Sequence, residues 1–197
     1  MRLVVGLGNP GPRYENTRHN VGFRVVEQFA ARCSIALDEA CYDGRLGRGW
    51  LPGRDEEVAV FEPLTFMNRS GDPVARALAG LRIEDPARDL LVAHDEVDLP
   101  FGRLRLRPAG GPGGHNGVSD IIAALDSRQF ARLRFGVGRP DGILDTADWV
   151  LAPFSSQQAA ELSGLLATGA EAIAVALLEG VETAMNRFNG VEPDADG

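Results

Sequence analysis

The sequence predicts a single α/β domain with a central mixed β-sheet flanked by helices. Three observations predict it. Short apolar runs of strand length alternate with stretches of helical periodicity, the pattern of layered α/β architecture. The short step from Asp95 to Arg103 reads as a hairpin, which gives part of the sheet an antiparallel character. A chain of 197 residues with 44% hydrophobic positions is long enough to bury one core, and neither repeats nor an internal linker divide it.

Leu3 to Leu7 is a β-branched apolar run that reads as a buried strand ending at a loop from Gly8 to Thr17. Val21, Val25, Val26 and Phe29 recur at helical spacing, so a helix is expected from about Asn20 to Cys33 with that stripe on the sheet. Val58 to Phe61 is the next strand. Asp72 followed by Pro73 reads as an N-cap and first helical residue leading into Val74 to Leu81. Leu90 to Ala93 is another buried strand.

Arg103-Leu104-Arg105-Leu106-Arg107 places three Arg on one strand face and two Leu on the other. A Gly-rich loop, Ala109 to Gly117, then leads to a helix over about Val118 to Leu125 and a strand around Leu133 to Val137. A loop through Pro140 to Asp145 precedes a helical C-terminal third, with Gln157 to Leu178 rich in Ala, Leu and Glu and Gly180 marking a break. One domain is expected over 1–190, and the acidic, Pro-containing tail 191–197 is expected to be disordered.

Net charge is -8, which argues against a general nucleic-acid coat protein, because basic side chains supply most non-specific affinity for phosphate. The stretch from Phe101 to Pro140 runs the other way, with seven Arg against Asp120 and Asp126. Such a segment can dock one phosphate-bearing ligand while the acidic remainder discourages binding elsewhere, although a solvated strand face has the same composition. All twenty basic residues are Arg, which carries no functional reading by itself. Cys33 and Cys41 are too few for a disulfide framework and lack zinc-site spacing. No apolar stretch is read as approaching the ~20 residues of a membrane span, and the start shows no secretory pattern. The protein is therefore expected in the cytoplasm.

The three histidines, His19, His94 and His115, all fall in or beside loops and strand ends rich in Gly, Asn or Asp. His19, just before a helix, suits a general base near neutral pH, although an isolated histidine there more often serves structure. His94-Asp95-Glu96 ends a buried strand, where open α/β sheets place functional side chains, and Asp95 can orient a histidine or cap a turn. With Asp98 these residues also admit a weak metal reading. Gly110 to Gly117 opens a helix, so its N–H groups can meet a phosphate or a developing oxyanion beside Asn116. Gly6-Leu7-Gly8-Asn9-Pro10-Gly11 fits a dinucleotide-binding fingerprint, but Pro12 to Thr17 separate it from the helix and no acidic ribose ligand follows at the expected distance.

Taken with Tyr14, Asn16-Thr17-Arg18-His19-Asn20-Val21-Gly22, Thr65-Phe66-Met67-Asn68 and Gly113-Gly114-His115-Asn116-Gly117, these motifs closely resemble the bacterial-type peptidyl-tRNA hydrolase family. The resemblance runs from Leu3 to about Arg139 and continues weakly through Trp149-Val150-Leu151 and Met185-Asn186-Arg187. It implies a monomer that hydrolyses N-blocked peptidyl-tRNA released early from ribosomes, with no metal and no organic cofactor. By that resemblance His19 is the base that activates water and Asp95 the carboxylate that supports it. Asn68 or Asn116 donates to the carbonyl oxygen, and Asn9 distinguishes blocked from free aminoacyl ends through the donor and acceptor of its amide. Tyr14, Phe66, Asn68 and Asn116 hold the tRNA 3′ end, Met67 lines the peptide channel, and Arg107 and Arg134, assisted by Arg105, clamp the 5′ phosphate.

Three departures from the family pattern are Pro112, Arg69 and Glu62, the last expected to weaken phosphate attraction nearby. The rival reading is a non-catalytic RNA-binding protein on the same fold, against which stands the retention of His19, Asp95 and the three Asn.

Overall fold

The computed structural model describes residues 1–140 and 145–190. The chain runs β1 (Arg2–Gly6), α1 (Val21–Arg32), β2 (Glu39–Cys41), β3 (Gly44–Trp50), β4 (Glu57–Pro63), α2 (Gly71–Gly80), α3 (Pro86–Asp89) and β5 (Leu90–Glu96). It continues through β6 (Leu104–Arg107), α4 (Asn116–Leu125), β7 (Ala131–Gly136), α5 (Thr146–Val150), α6 (Ser156–Leu178) and α7 (Val181–Phe188). Single 3-10 turns at Arg18–Asn20 and Met67–Arg69 precede α1 and α2. Most of the expected loop from Pro140 to Asp145, and the tail 191–197, lie outside the described residues.

The seven strands form one mixed sheet in the order β2-β3-β4-β1-β5-β7-β6. β1 pairs in parallel with β4 and β5, and β5 in parallel with β7. Period-two alternation sends successive β1 side chains to opposite faces. Val4 joins the cluster beneath α1 and α6, with Val25, Phe29, Leu133 and Ile173. Leu3 and Val5 join the one beneath α2 and α4, with Phe61, Val74, Val118 and Ile121. Helices thus cover both faces, which is why β1, β4 and β5 read as continuous apolar runs.

The antiparallel part is present but differs from the expected hairpin. The turn after β5 carries the chain past β7, so β6 pairs with β7 and not with β5; the other antiparallel pairs are β2 with β3 and β3 with β4. β2 and β3 have no apolar periodicity in the sequence, because Gly44, Gly47 and Gly49 interrupt β3 and Leu46 is its one buried large apolar side chain. Those glycines are required by contact: a Cβ at Gly47 would lie 2.4 Å from the Ala36 carbonyl oxygen, and one at Gly44 2.4 Å from that of Glu62.

Asp72 does not cap α2. The N-cap is Ser70, and the Gly71 N–H donates to Asp120 Oδ2 of α4 at 2.7 Å, so the helix start is satisfied from a neighbouring helix. Asp72 is exposed and pairs with Arg76 one turn on. α6 also corrects the sequence reading: it is long and apolar enough by composition to cross a membrane. More than half of that stretch is buried against α1 and the sheet, as in a core helix. At the β6 edge the Asn189 side chain pairs with the strand backbone, accepting from Leu106 N–H at 2.7 Å and donating to the Leu106 carbonyl at 3.1 Å.

Candidate active site

The site lies beyond the carboxyl ends of β1 and β5, where the chain departs to opposite halves of the sheet, the usual location of a ligand crevice in an open α/β fold. Gly22 brings the first piece into place. A Cβ there would sit 2.5 Å from the carbonyl oxygens of both Leu7 and Ala93, so only Gly lets the start of α1 settle onto β1 and β5. The turn Arg18–Asn20 is thereby pressed against the end of β5, and His19 Nδ1 lies 2.8 Å from Asp95 Oδ1.

Asp95 is buried and its Oδ1 has a second partner, His115 Nε2, at 2.9 Å. Burial alone would raise the Asp95 pKa, but the positive field and hydrogen bonds of His19 and His115 outweigh it and hold the carboxyl well below its usual range. An ionised Asp95 accepts, so the proton between it and His19 sits on Nδ1, leaving Nε2 as the free base. His115 Nδ1 accepts from the Val118 N–H at 3.2 Å, which places that ring's proton on Nε2, facing Asp95. For His19 itself, burial lowers the pKa while the charge and hydrogen bond of Asp95 raise it; the balance lies above the ordinary imidazole value.

Asn9 is fixed from three sides. Its backbone N–H donates to Asn20 Oδ1 at 2.8 Å, its carbonyl accepts from Asn20 Nδ2 at 2.9 Å, and its Oδ1 accepts from the Met67 N–H at 2.8 Å. The expected use of both amide functions is thereby narrowed: Oδ1 is engaged within the protein, and Nδ2, without a partner among the described residues, is the function left for a ligand. Asn68, exposed beside the buried Met67, and Asn116, exposed at the first position of α4, complete a set of amides around His19. All of these line one cleft of about 570 Å³, whose other wall is Val97 with Ala147 and Val150 of α5 and Leu151 just after it. Phe66 is 55% exposed at its mouth, with Tyr14 edge-on at a centroid distance of 6.4 Å, leaving an aromatic face open to stacking.

The basic segment divides in two. Arg107 is exposed, and Arg105 and Arg134 are cross-strand neighbours and partly exposed. Arg107 and Arg134 border a second cavity of about 250 Å³ with the glycine loop, suited to phosphate, and Arg105 lies outside its lining. Arg134 already donates to Glu96, from Nε at 2.7 Å and also from Nη2, so part of its charge is neutralised internally. Arg132 also lines this cavity, but it is buried and donates to the carbonyls of Gly110 and Gly111, so it holds the loop. Burial, aided by the charges of Arg134 and Arg128, pulls its pKa down to about 10.

Of the three histidines, His94 is the one not bonded to the Asp95 carboxylate, although its ring lies 4.6 Å from that of His115. It is on the opposite strand face from Asp95, lines the basic cavity, and is held far below its ordinary pKa by burial and then by His115. His115, to which the sequence reading gave no role, sits in the site; its place at the end of a glycine loop was the available signal. Glu62 also departs from expectation. Its side chain is fully buried and paired with Arg45 at 2.6 Å, so it presents no charge to a phosphate. His19, Asp95 and His115 each offer a ligand atom within 4.8 Å of the others, the one such trio found among the described residues. Both imidazole nitrogens facing Asp95 already share a proton with it, and a metal would have to displace both.

Comparisons with known proteins bear on the family and the fold. A family model described as peptidyl-tRNA hydrolase matches residues 3–196. The peptidyl-tRNA hydrolase of Syntrophotalea carbinolica is 46% identical over 96% of this chain and 97% of its own. That of Chloroflexus aggregans is 46% identical over 96% of this chain and 99% of its own. The crystal structure of peptidyl-tRNA hydrolase from Acinetobacter baumannii superposes with a TM-score of 0.89 at 37% identity, covering 98% of this chain and 96% of that one.

Proposed function

Because the chain belongs to the peptidyl-tRNA hydrolase family, we propose that it cleaves its substrate by water attack driven from His19, with Asp95 and the surrounding amides in supporting roles. The observation that carries this reading is the buried 2.8 Å contact between His19 Nδ1 and Asp95 Oδ1, which leaves Nε2 free to take a proton. A water on Nε2 loses a proton to it as its oxygen adds to the ester carbonyl carbon. Negative charge develops on the carbonyl oxygen, where the Asn68 or Asn116 amide donates. Collapse breaks the bond to the tRNA 3′ ribose oxygen, which takes the proton back from His19, giving free tRNA and a peptide carboxylic acid that loses its remaining proton to solvent.

Asn9 Nδ2 donates to the carbonyl of an N-blocking group, which a free ammonium lacks. Tyr14 and Phe66 hold the tRNA 3′ end, Met67 borders the peptide, and Arg105, Arg107 and Arg134 take the 5′ phosphate. On this reading the enzyme recycles peptidyl-tRNA dropped early from ribosomes, acts in the cytoplasm as a monomer, and needs no metal or cofactor. The test is release of labelled N-acetyl-aminoacyl groups from tRNA by the wild type and by His19→Ala, with unblocked aminoacyl-tRNA as control. Cleavage of the blocked substrate alone, abolished in the variant while tRNA binding stays within a few fold, is the expected result. Binding without cleavage by the wild type would make the protein a non-catalytic RNA binder on this fold.

A further inference from the structure

Arg18 is a buried cation with no carboxylate partner among the described residues. Its neighbour in sequence is His19, but its own side chain turns away, toward the segment that follows α5. Nη1 donates to the Pro153 carbonyl at 2.7 Å and the Ala152 carbonyl at 3.2 Å, with the Trp149 carbonyl at 3.4 Å. Nη2 donates at 3.0 Å to Gln158 Oε1, which also accepts from the Ser155 N–H in the capping box of α6. The guanidinium lies 3.6 Å from the centroid of the Trp149 ring. The backbone repeats the connection: Arg18 N–H donates to the Ala152 carbonyl at 3.2 Å, and Thr17 forms a β-bridge with Pro153. Burying an unpaired charge is expensive, and here carbonyl dipoles and an aromatic face offset the cost.

The target of this clamp is a helix that cannot hold itself. α5 has five residues, fewer than isolated helix formation needs, so its direction depends on tertiary anchors. Trp149 is the anchored side, stacked on Arg18 and donating Nε1–H to the Gly138 carbonyl at 2.8 Å. Ala147, Val150 and Leu151, at the spacing of one helical face, form the apolar wall of the cleft facing His19. The Arg18 side chain, with the backbone bridge beside it, therefore ties that wall to the turn that carries the base.

We propose that Arg18 is a positioning residue that sets the distance between the α5 wall and His19, and that this wall receives the first side chain of the peptide beside the ester. The inference rests on the hydrolase reading, in which the cleft holds the peptidyl group. It predicts a split that a general loss of stability does not produce, because the wall contacts the side chain and not the reacting carbonyl.

The experiment compares N-acetyl-leucyl-tRNA with N-acetyl-glycyl-tRNA in the wild type, Arg18→Lys and Trp149→Phe. The lysine keeps the buried charge but loses the planar fork and the stacking. The phenylalanine keeps an aromatic face under Arg18 and loses the bond to Gly138, so it carries the test if the lysine variant melts below the assay temperature. Expected in either variant is a KM for the leucyl substrate raised by roughly fivefold, with KM for the glycyl substrate and kcat for both within about twofold of wild type. The acidic limb of the pH profile stays where it is. Equal effects on both substrates would overturn the proposal, as would a fall in kcat at unchanged KM or a moved acidic limb, which would make Arg18 a partner of His19 itself. Failure of the wild type to cleave either substrate would overturn the hydrolase reading, and this inference with it.

Discussion

The proton affinity of His19 is set by two opposed influences, and one substitution separates them. Burial disfavours the imidazolium, while the Asp95 charge and hydrogen bond favour it and prevail. A folded pKa above the unfolded one means that the pair stabilises the protein at pH below the ordinary imidazole value and that this contribution is lost as pH rises through the folded pKa. With His19 as the proposed base, activity needs the neutral ring, so turnover is expected to grow over the range in which that stabilisation disappears. In Asp95→Asn only burial remains. The acidic limb of kcat/KM is expected to move to lower pH and the plateau to fall by about 10²-fold, as the orienting carboxylate is lost. An unmoved limb in a profile from pH 5 to 8 would break the pairing. Glu62 shows the opposite case of a charge the fold tolerates poorly. Burial, with the charge of Glu27, raises its pKa to about 7 against the pull of Arg45. The folded state then holds the extra proton, so stability falls as pH rises from the ordinary carboxylate value toward 7. Glu62→Gln is expected to stabilise the protein at pH 8 by up to about 3 kcal/mol, since the half-exposed Arg45 stays hydrated. The gain should vanish near pH 4, and a thermal-melt difference that ignores pH would refute this account.

At the scale of elements, a few helix starts carry the geometry. Gly22→Ala places a methyl group 2.5 Å from two backbone carbonyls, neither of which can swing aside as a side chain would. Overpacking of this kind costs about 1–3 kcal/mol. If α1 shifts outward to relieve it, the His19–Asp95 contact lengthens, and a misplacement of about 1 Å costs on the order of 10²-fold in rate. Thermal melts and kcat measured together test the link; lost stability with an intact rate would show that the turn holds its place without the glycine. Elements with their own periodicity were legible in advance: β1, α1, β5 and the alternating Arg and Leu of β6. β3 was not, because beside the buried Leu46 it presents Gly47 and Gly49, required by the close approach of Ile35 and Ala36, which no local pattern reveals. The cap of α2 was hidden for a similar reason, since Asp120 comes from 49 residues away. The paired His19 and Asp95 were visible as motifs, whereas His115 closing the trio needed the glycine loop to be folded back over β5.

The whole molecule is acidic, yet its basic segment survives as one exposed edge beside the cleft. Counting Arg from sequence overstated what that edge offers, because Arg132 is consumed by the glycine loop and Arg134 is shared with Glu96. Arg107, exposed and with no ion pair among the described residues, is the cleaner candidate for the phosphate contact proposed above. Arg107→Ala is expected to raise KM for tRNA substrates and to reduce the slope of log affinity against log salt by about 1, with kcat little changed. An unaltered slope would remove Arg107 from the phosphate contacts. The same strand that carries Arg107 is the open margin of the sheet, and Asn189 already occupies its hydrogen-bonding groups at Leu106. Exposed margins of this kind recruit strands from other chains and seed aggregates. One amide just past α7 acts as a stopper there, so on the proposed reading an edge left bare for tRNA still offers one rung fewer to a strand from another chain.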